Sequence, residues 1–244
     1  MDVMNKDVKQ AYIKEELMKI YDAIAYSYAY SRVKPWRAIL NILSRVRVKL
    51  LIDLGCGPGQ YVDYILLNNI ADEVICVEIS IKMLNVVKSR ILRKNKYHRL
   101  NLIQADIENL PLRSETIDYA ISIATLHHLP SEESLKNTLR EVHRVLKVGG
   151  GILATFWSLL QPRFVKYRIL NVVRRVLGKI DYVGEILVPW RYRGKTLYRY
   201  YRLPYSLSQV RRLFSSLGFN VTCKGLKIKS KILPDNYLVV GVKR

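Results

Sequence analysis

Acidic residues, cysteines and long apolar runs are all scarce in this 244-residue chain, and each scarcity removes a class of reading. The three cysteines, Cys56, Cys76 and Cys223, stand far apart with no Cys-x-x-Cys spacing. That argues against a zinc knot, a redox pair or a disulfide framework, so no metal is expected and the thiols read as small buried hydrophobes. Apolar residues make up half the chain but fall in short runs, well below the roughly 18 in a row that a membrane span requires. Met1 to Gln10 carries Asp2, Lys6, Asp7 and Lys9 with no apolar stretch, unlike a secretory signal. The expectation is a cytoplasmic protein with no membrane partner.

The shortage of acids is uneven. Overall 20 Asp and Glu face 41 Lys and Arg, a formal charge of +21. From Trp157 to Arg244 there are 19 Lys and Arg against only Asp181, Glu185 and Asp235. A basic field concentrated in this way attracts polyanions, because each neutralised phosphate releases condensed counterions. The other reading is a solvated basic face.

Periodicity then supplies the fold. Ile13, Leu17, Ile20 and Ile24 recur at helical steps within Val8 to Ser27, and Pro35 can open a second helix through Arg45. From Val48 strands and helices alternate. Strands are expected at Val48 to Leu54, Asp72 to Glu78, Leu100 to Gln104, Thr116 to Ile123 and Ile152 to Trp157. Helices are expected at Gln60 to Asn68, Ser80 to Lys94 and Ser131 to Leu146, the last ended by Gly149 to Gly151. This βαβ repetition predicts an α/β fold with a doubly wound, mostly parallel sheet and a ligand site at the strands' C-terminal ends. Gln161 to Arg202 is polar and basic, with one helix near Tyr167 to Leu177, and is too long for an ordinary connection. A helix at Ser206 to Leu217 and strands at Asn220 to Lys227 and Tyr237 to Val242 complete the pattern. The chain thus divides into N-terminal helices (1–47), a core (48–157), a basic insertion (158–205) and a closing helix with strands (206–244), all in one domain.

The loop Asp53-Leu54-Gly55-Cys56-Gly57-Pro58-Gly59 follows a strand and precedes a helix. Its glycines permit sharp turns and close approach of backbone to a ligand. Glu78 ends the next strand 19 residues after Gly59, where a ribose diol needs a carboxylate acceptor. Pro58 removes a backbone donor, which makes the loop poor for a pyrophosphate.

Together with Ala105-Asp106-Ile107 and the run Asp118 to His128, these segments resemble the motifs of class I S-adenosylmethionine-dependent methyltransferases. The resemblance implies a Rossmann-like fold with N-terminal helices and a basic insertion after strand five. Its cofactor would be S-adenosylmethionine, bound by Asp53, Gly55, Cys56, Gly57, Gly59, Glu78, Ile79, Asp106, Ile107, Ile123 and Leu126. Further segments extend the likeness over nearly the whole chain. They are Tyr21 to Ala25, Ser31 to Trp36, Ile121 to His128, Val188-Pro189-Trp190, Tyr198 to Tyr201 and Asp235-Asn236-Tyr237. They are similar to the tRNA methyltransferases that esterify 5-carboxymethyluridine at the wobble position, U34. The chain departs from those relatives in Glu78, where Asp is usual, and in Arg202, where His is.

An ionised carboxylate needs no general base to accept a methyl group. The resemblance therefore points to residues that hold and orient: Arg32, His127, Arg199 and Tyr200 as catalytic candidates, with Lys34, Trp36, His128, Trp190 and Tyr201 around the substrate. Arg suits a carboxylate or phosphate, and aromatic rings suit an everted base. The expected partners are the tRNA anticodon loop and a small zinc-ribbon activator that forms a heterodimer. Leu100 to Gln104, an edge strand in the family's strand order, is the candidate docking edge. One competing reading is a small-molecule or lipid-quinone methyltransferase, which shares the core but not the basic, aromatic insertion; the other is a binding module that holds S-adenosylmethionine and tRNA but serves only as a subunit.

Overall fold

The computed structural model describes residues 6–31, 34–92, 97–228 and 233–244. A seven-stranded sheet runs through it in the order β3-β2-β1-β4-β5-β9-β8. Its strands are β1 (Val48–Leu54), β2 (Ala71–Glu78), β3 (Leu100–Gln104), β4 (Ile117–Ile123), β5 (Leu146–Trp157), β8 (Phe219–Leu226) and β9 (Asn236–Lys243). The first five pair in parallel, whereas β9 and β8 add antiparallel. The central strands carry near-continuous apolar runs because helices cover both faces. Ile52, Leu54, Ala120, Ile152 and Ala154 point to one core, and Leu51, Val74, Cys76, Ile121 and Leu153 to the other. Strand order reverses between β1 and β4, which opens a crevice at their C-terminal ends.

Helix α1 (Lys6–Ser31) lies across α4 (Ile81–Leu92), with Ala25 packed on Met83 and Val86. Asp22 fastens the crossing: its carboxylate accepts from Ser80 Oγ at 2.6 Å and from the Lys82 amide at 3.1 Å, at the start of α4. A carboxylate there also favours the helix dipole. Short helices α2 (Arg37–Leu43) and α3 (Val62–Leu67) pack beside β1 and β2, and α5 (Glu132–Val145) precedes β5.

Two expectations change. The glycines 149–151 do not end α5, which stops at Val145; they belong to the bulged first half of β5, where Gly149 takes φ +76°. The basic segment is also more ordered than a single helix. It forms α6 (Val165–Val176) followed by an antiparallel hairpin of β6 (Glu185–Tyr192) and β7 (Lys195–Arg202). Arg193 and Gly194 turn the hairpin with φ +47° and +75°, the two-residue geometry that matches strand twist. Alternation buries Ile186, Val188, Arg199 and Tyr201 on one face. Ile186, Val188 and Tyr201 pack with Trp157, Leu159 and Phe164, so the insertion closes over the end of the main sheet. Helix α7 (Leu207–Ser216) returns the chain to β8.

Candidate active site

An open cavity with about 980 Å³ of empty space fills the crevice. Carboxylates dominate its floor. Asp53 at the end of β1 and Glu78 at the end of β2 are 3% and 7% exposed. Glu78 accepts from the Gly57 and Ser80 amides, both at 3.0 Å, so its carboxylate is fixed. Burial first, then the charge of Glu78, pushes the Asp53 carboxyl up to about 8. Two acids so close in a dry site call for a cationic or hydroxyl-rich ligand. One glycine leaves room for it, and a second lets a side chain pack against the loop. Gly57, at φ +53°, has nothing within 4 Å of where a Cβ would sit. Gly55, at φ +67°, packs on Thr125, whose hydroxyl donates to the Gly55 carbonyl at 3.0 Å.

Cys56, Ile79, Asp106, Ile107 and Ile123 also line this cavity. Asp106 is tied to Lys14 of α1, with the ammonium 2.7 Å from Asp106 Oδ2 and 2.6 Å from Glu108 Oε1. Gly59 and Leu126 stand apart from the lining: Gly59 packs on Val87, and Leu126 sits in the core beneath β4.

A smaller cavity of about 380 Å³ shares Tyr28, Gln60, Tyr61, Ile123, Ala124 and His128 with the first. Trp36, Trp157 and Tyr201 complete it as an aromatic box. The shared wall includes Ala124, held at φ +58° with its amide on Thr155 Oγ1 at 2.9 Å. A non-glycine residue in that region stores strain, and such strain gathers at functional sites.

Arg199 is 3% exposed. Its guanidinium lies 4.8 Å from the Trp190 ring centre and 5.5 Å from that of Tyr201, beside the Tyr21 hydroxyl. No carboxylate among the described residues pairs with it, and its Nε and one Nη are buried without an acceptor. Leaving a buried cation unsatisfied costs several kcal/mol. Binding an anion there would recover much of that cost.

His128 bridges the two halves. Its Nδ1 lies 3.0 Å from the Tyr200 carbonyl, which can only accept, so Nδ1 carries the proton. Nε2 then accepts from the Tyr21 hydroxyl at 2.9 Å. Burial, followed by the charge of Arg199, pushes His128 down to about 3, so the ring is neutral and orients Tyr21 rather than shuttling protons. His127 is fully enclosed, 5.2 Å from both Trp157 and Tyr201, which themselves stack at 4.7 Å, and its Nδ1 accepts from the Trp157 amide at 3.3 Å. It supports the box from behind.

Tyr200 lies on the opposite face of β7 from Arg199, and its hydroxyl donates to the Pro130 carbonyl at 3.1 Å. Trp190 approaches the box through Tyr28, at 5.6 Å. Lys34 is exposed, and its carbonyl accepts from Gln60. Arg32 lies outside the described residues. Arg202 covers the Tyr182 ring at 3.9 Å and pairs with Glu185 at 3.1 Å, bracing the base of the hairpin. Residue-level reasoning missed Lys14, Tyr21 and Tyr28. Tyr21 belongs to a segment already matched to relatives, but its role depends on α1 crossing β7, which no local pattern reveals.

Residues 52–154 match the profile of the methyltransferase domain family. The tRNA (carboxymethyluridine(34)-5-O)-methyltransferase of Arabidopsis thaliana is 33% identical over 149 residues, covering 61% of this chain and 34% of that protein. The Saccharomyces cerevisiae protein of the same name is 32% identical over 163 residues, covering 64% and 53%. The chain therefore spans a third to a half of these relatives' length. Among solved structures, a Methanosarcina mazei methyltransferase superposes with TM-score 0.68 at 16% identity, over 86% of this chain and 98% of that one. A Haloferax volcanii complex between the Trm112 methyltransferase activator and a methyltransferase gives 0.62 at 15% identity, over 91% and 97%. At these identities the likeness establishes the fold, the Rossmann-like one expected from the sequence.

Proposed function

We propose that the protein uses S-adenosylmethionine to esterify the carboxylate of 5-carboxymethyluridine at the wobble position of tRNA, a reading supported by the match of residues 52–154 to the methyltransferase domain family. The observation that carries this reading is Arg199, a buried guanidinium with free donors and no acid, next to an aromatic box that adjoins the cofactor cavity. A carboxylate nucleophile on a flat pyrimidine is the ligand with matching charge and shape.

When bound, S-adenosylmethionine supplies an electrophilic methyl group on a sulfonium. Glu78 would hold the ribose hydroxyls, and Asp53, in its ionised form, would balance the cofactor's positive charge. On the substrate side, Trp36, Trp157 and Tyr201 stack on the base while Arg199 holds the carboxylate. Held through one oxygen, a carboxylate keeps the lone pairs of the other for attack. Neutral His128 and Tyr21 set the geometry and move no proton. Catalysis then rests on proximity and orientation, which can supply about 7–11 kcal/mol of barrier lowering. The hairpin tip, with Arg191, Arg193 and Lys195 exposed, offers cations to the RNA backbone.

The zinc-ribbon activator belongs to the same reading. Strand β3 is the sheet edge, with Leu102 and Ile103 half-exposed and a second strand only on the β2 side among the described residues. An uncharged edge of this kind accepts another chain's strand. The decisive assay incubates the chain, co-expressed with the activator of its own cell, with anticodon stem-loop RNA carrying 5-carboxymethyluridine. A base-labile methyl ester found by nucleoside mass spectrometry is the expected product. Methylation of unmodified uridine at the same rate would sink the proposal. Leu102→Lys should abolish activation while leaving the chain folded.

A further inference from the structure

A second groove, with about 1130 Å³ of empty space, lies across the Leu129–Ser131 wall from the cofactor cavity, and Leu129 lines both. Its floor is apolar: Leu126, Leu129, Leu135, Phe156 and Leu213. Its rim is mixed. Tyr205, 52% exposed, stands 5.7 Å from Tyr182, and the cations Lys136, Arg202 and Arg212 surround the opening. Glu132 holds Lys136 at 3.0 Å and Glu185 holds Arg202 at 3.1 Å, whereas no acid among the described residues pairs with exposed Arg212. Gln209 brings an amide to the rim, with its Nε2 3.2 Å from the Tyr182 hydroxyl.

An apolar slot with an exposed ring, a hydrogen-bonding amide and a free cation matches a nucleotide: a flat base with an anionic phosphate. We propose that this groove is a second nucleotide site, which takes a base flanking the methylated position, with its phosphate on Arg212 and the base on Tyr205. The inference rests on the RNA reading above. Its geometry follows from the shared wall. Tyr200 donates to Pro130 in that wall and stands back to back on β7 with Arg199 and Tyr201, so a strand whose target base enters the box meets the groove on leaving it.

The test separates this site from the reaction. Fluorescence anisotropy would measure binding of a labelled heptanucleotide centred on 5-carboxymethyluridine, with no turnover required. Tyr205→Ala should weaken binding about tenfold, the scale of one base stacked on an aromatic ring. Arg212→Glu should weaken it and flatten the dependence of log affinity on log salt by about one contact. Neither should alter S-adenosylmethionine affinity or methylation of the free nucleoside. Leu135→Trp, which fills the groove, is the third arm, and circular dichroism would verify its fold. Unchanged heptamer affinity in the two surface variants overturns the proposal, as does equal affinity for heptamers abasic at each flanking position. Binding of adenosine or uridine monophosphate that the variants abolish, with heptamer affinity unaffected, assigns the groove to a free nucleotide and also overturns it. Failure of the chain to methylate any uridine would strike the proposed reaction and leave the binding result standing.

Discussion

The cofactor half and the hairpin half of this site are electrostatic opposites, although they share a wall. At the ends of β1 and β2, buried carboxylates face the cavity, and burial pushes Asp53 up to about 8 while Glu78 is raised from its ordinary value. On β7 the buried group is a guanidinium among aromatic rings, with no acid beside it among the described residues. Each half is unfavourable alone, because charge is held out of water without a partner. In the proposed reaction each becomes favourable when a ligand of the opposite sign arrives: a sulfonium on one side, a carboxylate on the other. The ligands are then brought together by regions that each prefer the charge the other repels.

Breaking the cationic half should have the largest effect. Arg199→Met keeps the bulk and removes the charge. It should lower kcat/KM by about 2 to 5 kcal/mol, roughly 30- to 5000-fold, with cofactor affinity unchanged. Thermal denaturation should show equal or higher stability, since an unsatisfied buried cation is gone. A variant that methylates normally would remove the carboxylate clamp from the mechanism.

Breaking the anionic half comes next. Glu78→Ala deletes a carboxylate that orders the Gly57 and Ser80 amides and faces the cavity. Calorimetry should show cofactor binding weaker by about 1.5 to 3 kcal/mol. The same affinity in variant and parent would mean that the ribose sits elsewhere.

The comparison sharpens with pH. A folded Asp53 near 8, above its unfolded value of about 3.9, contributes stability that is fully present below the unfolded value and lost as pH rises through 8. The ligand-free protein should therefore lose stability across that window. A cationic cofactor favours the ionised form, so its affinity should climb with pH by up to about tenfold per pH unit and level off above 8. His128, held near 3, should add no inflection to the rate between pH 5 and 8. An inflection near 6.5 that vanishes in His128→Asn would show the ring titrating after all.

The smallest effect belongs to the seam between the halves. Tyr21→Phe removes the hydroxyl that bonds His128 and stands beside Arg199, and should cost about 0.5 to 1.5 kcal/mol in kcat/KM, with little change in cofactor affinity. A large loss of cofactor binding would place Tyr21 on the cofactor side.

Much of the cofactor half was legible from residue order, because its parts are close in sequence and obey local rules. Asp53 ends a strand, Gly55 and Gly57 take turn conformations that demand glycine, and Glu78 follows one βα unit later. The hairpin half was legible only in its ingredients. Arg199, Trp190 and Tyr201 were named, but Tyr200 was grouped with them although strand alternation turns it the other way. Arg193-Gly194 between alternating segments is a hairpin signal, set in a stretch so rich in charge that its period of two is masked.

Spacing along the chain was enough to specify a doubly wound sheet, its crevice and the acids around it, since each follows from neighbours within about thirty residues. Tertiary structure alone decided that α1 would cross the site to set Lys14 on Asp106 and Tyr21 on His128. It alone decided that the basic segment would fold back to bury Arg199 without an acid. Those contacts join residues about 90 to 110 positions apart. Their energy comes from packing and charge balance in three dimensions, for which a single chain read in order carries no period or spacing.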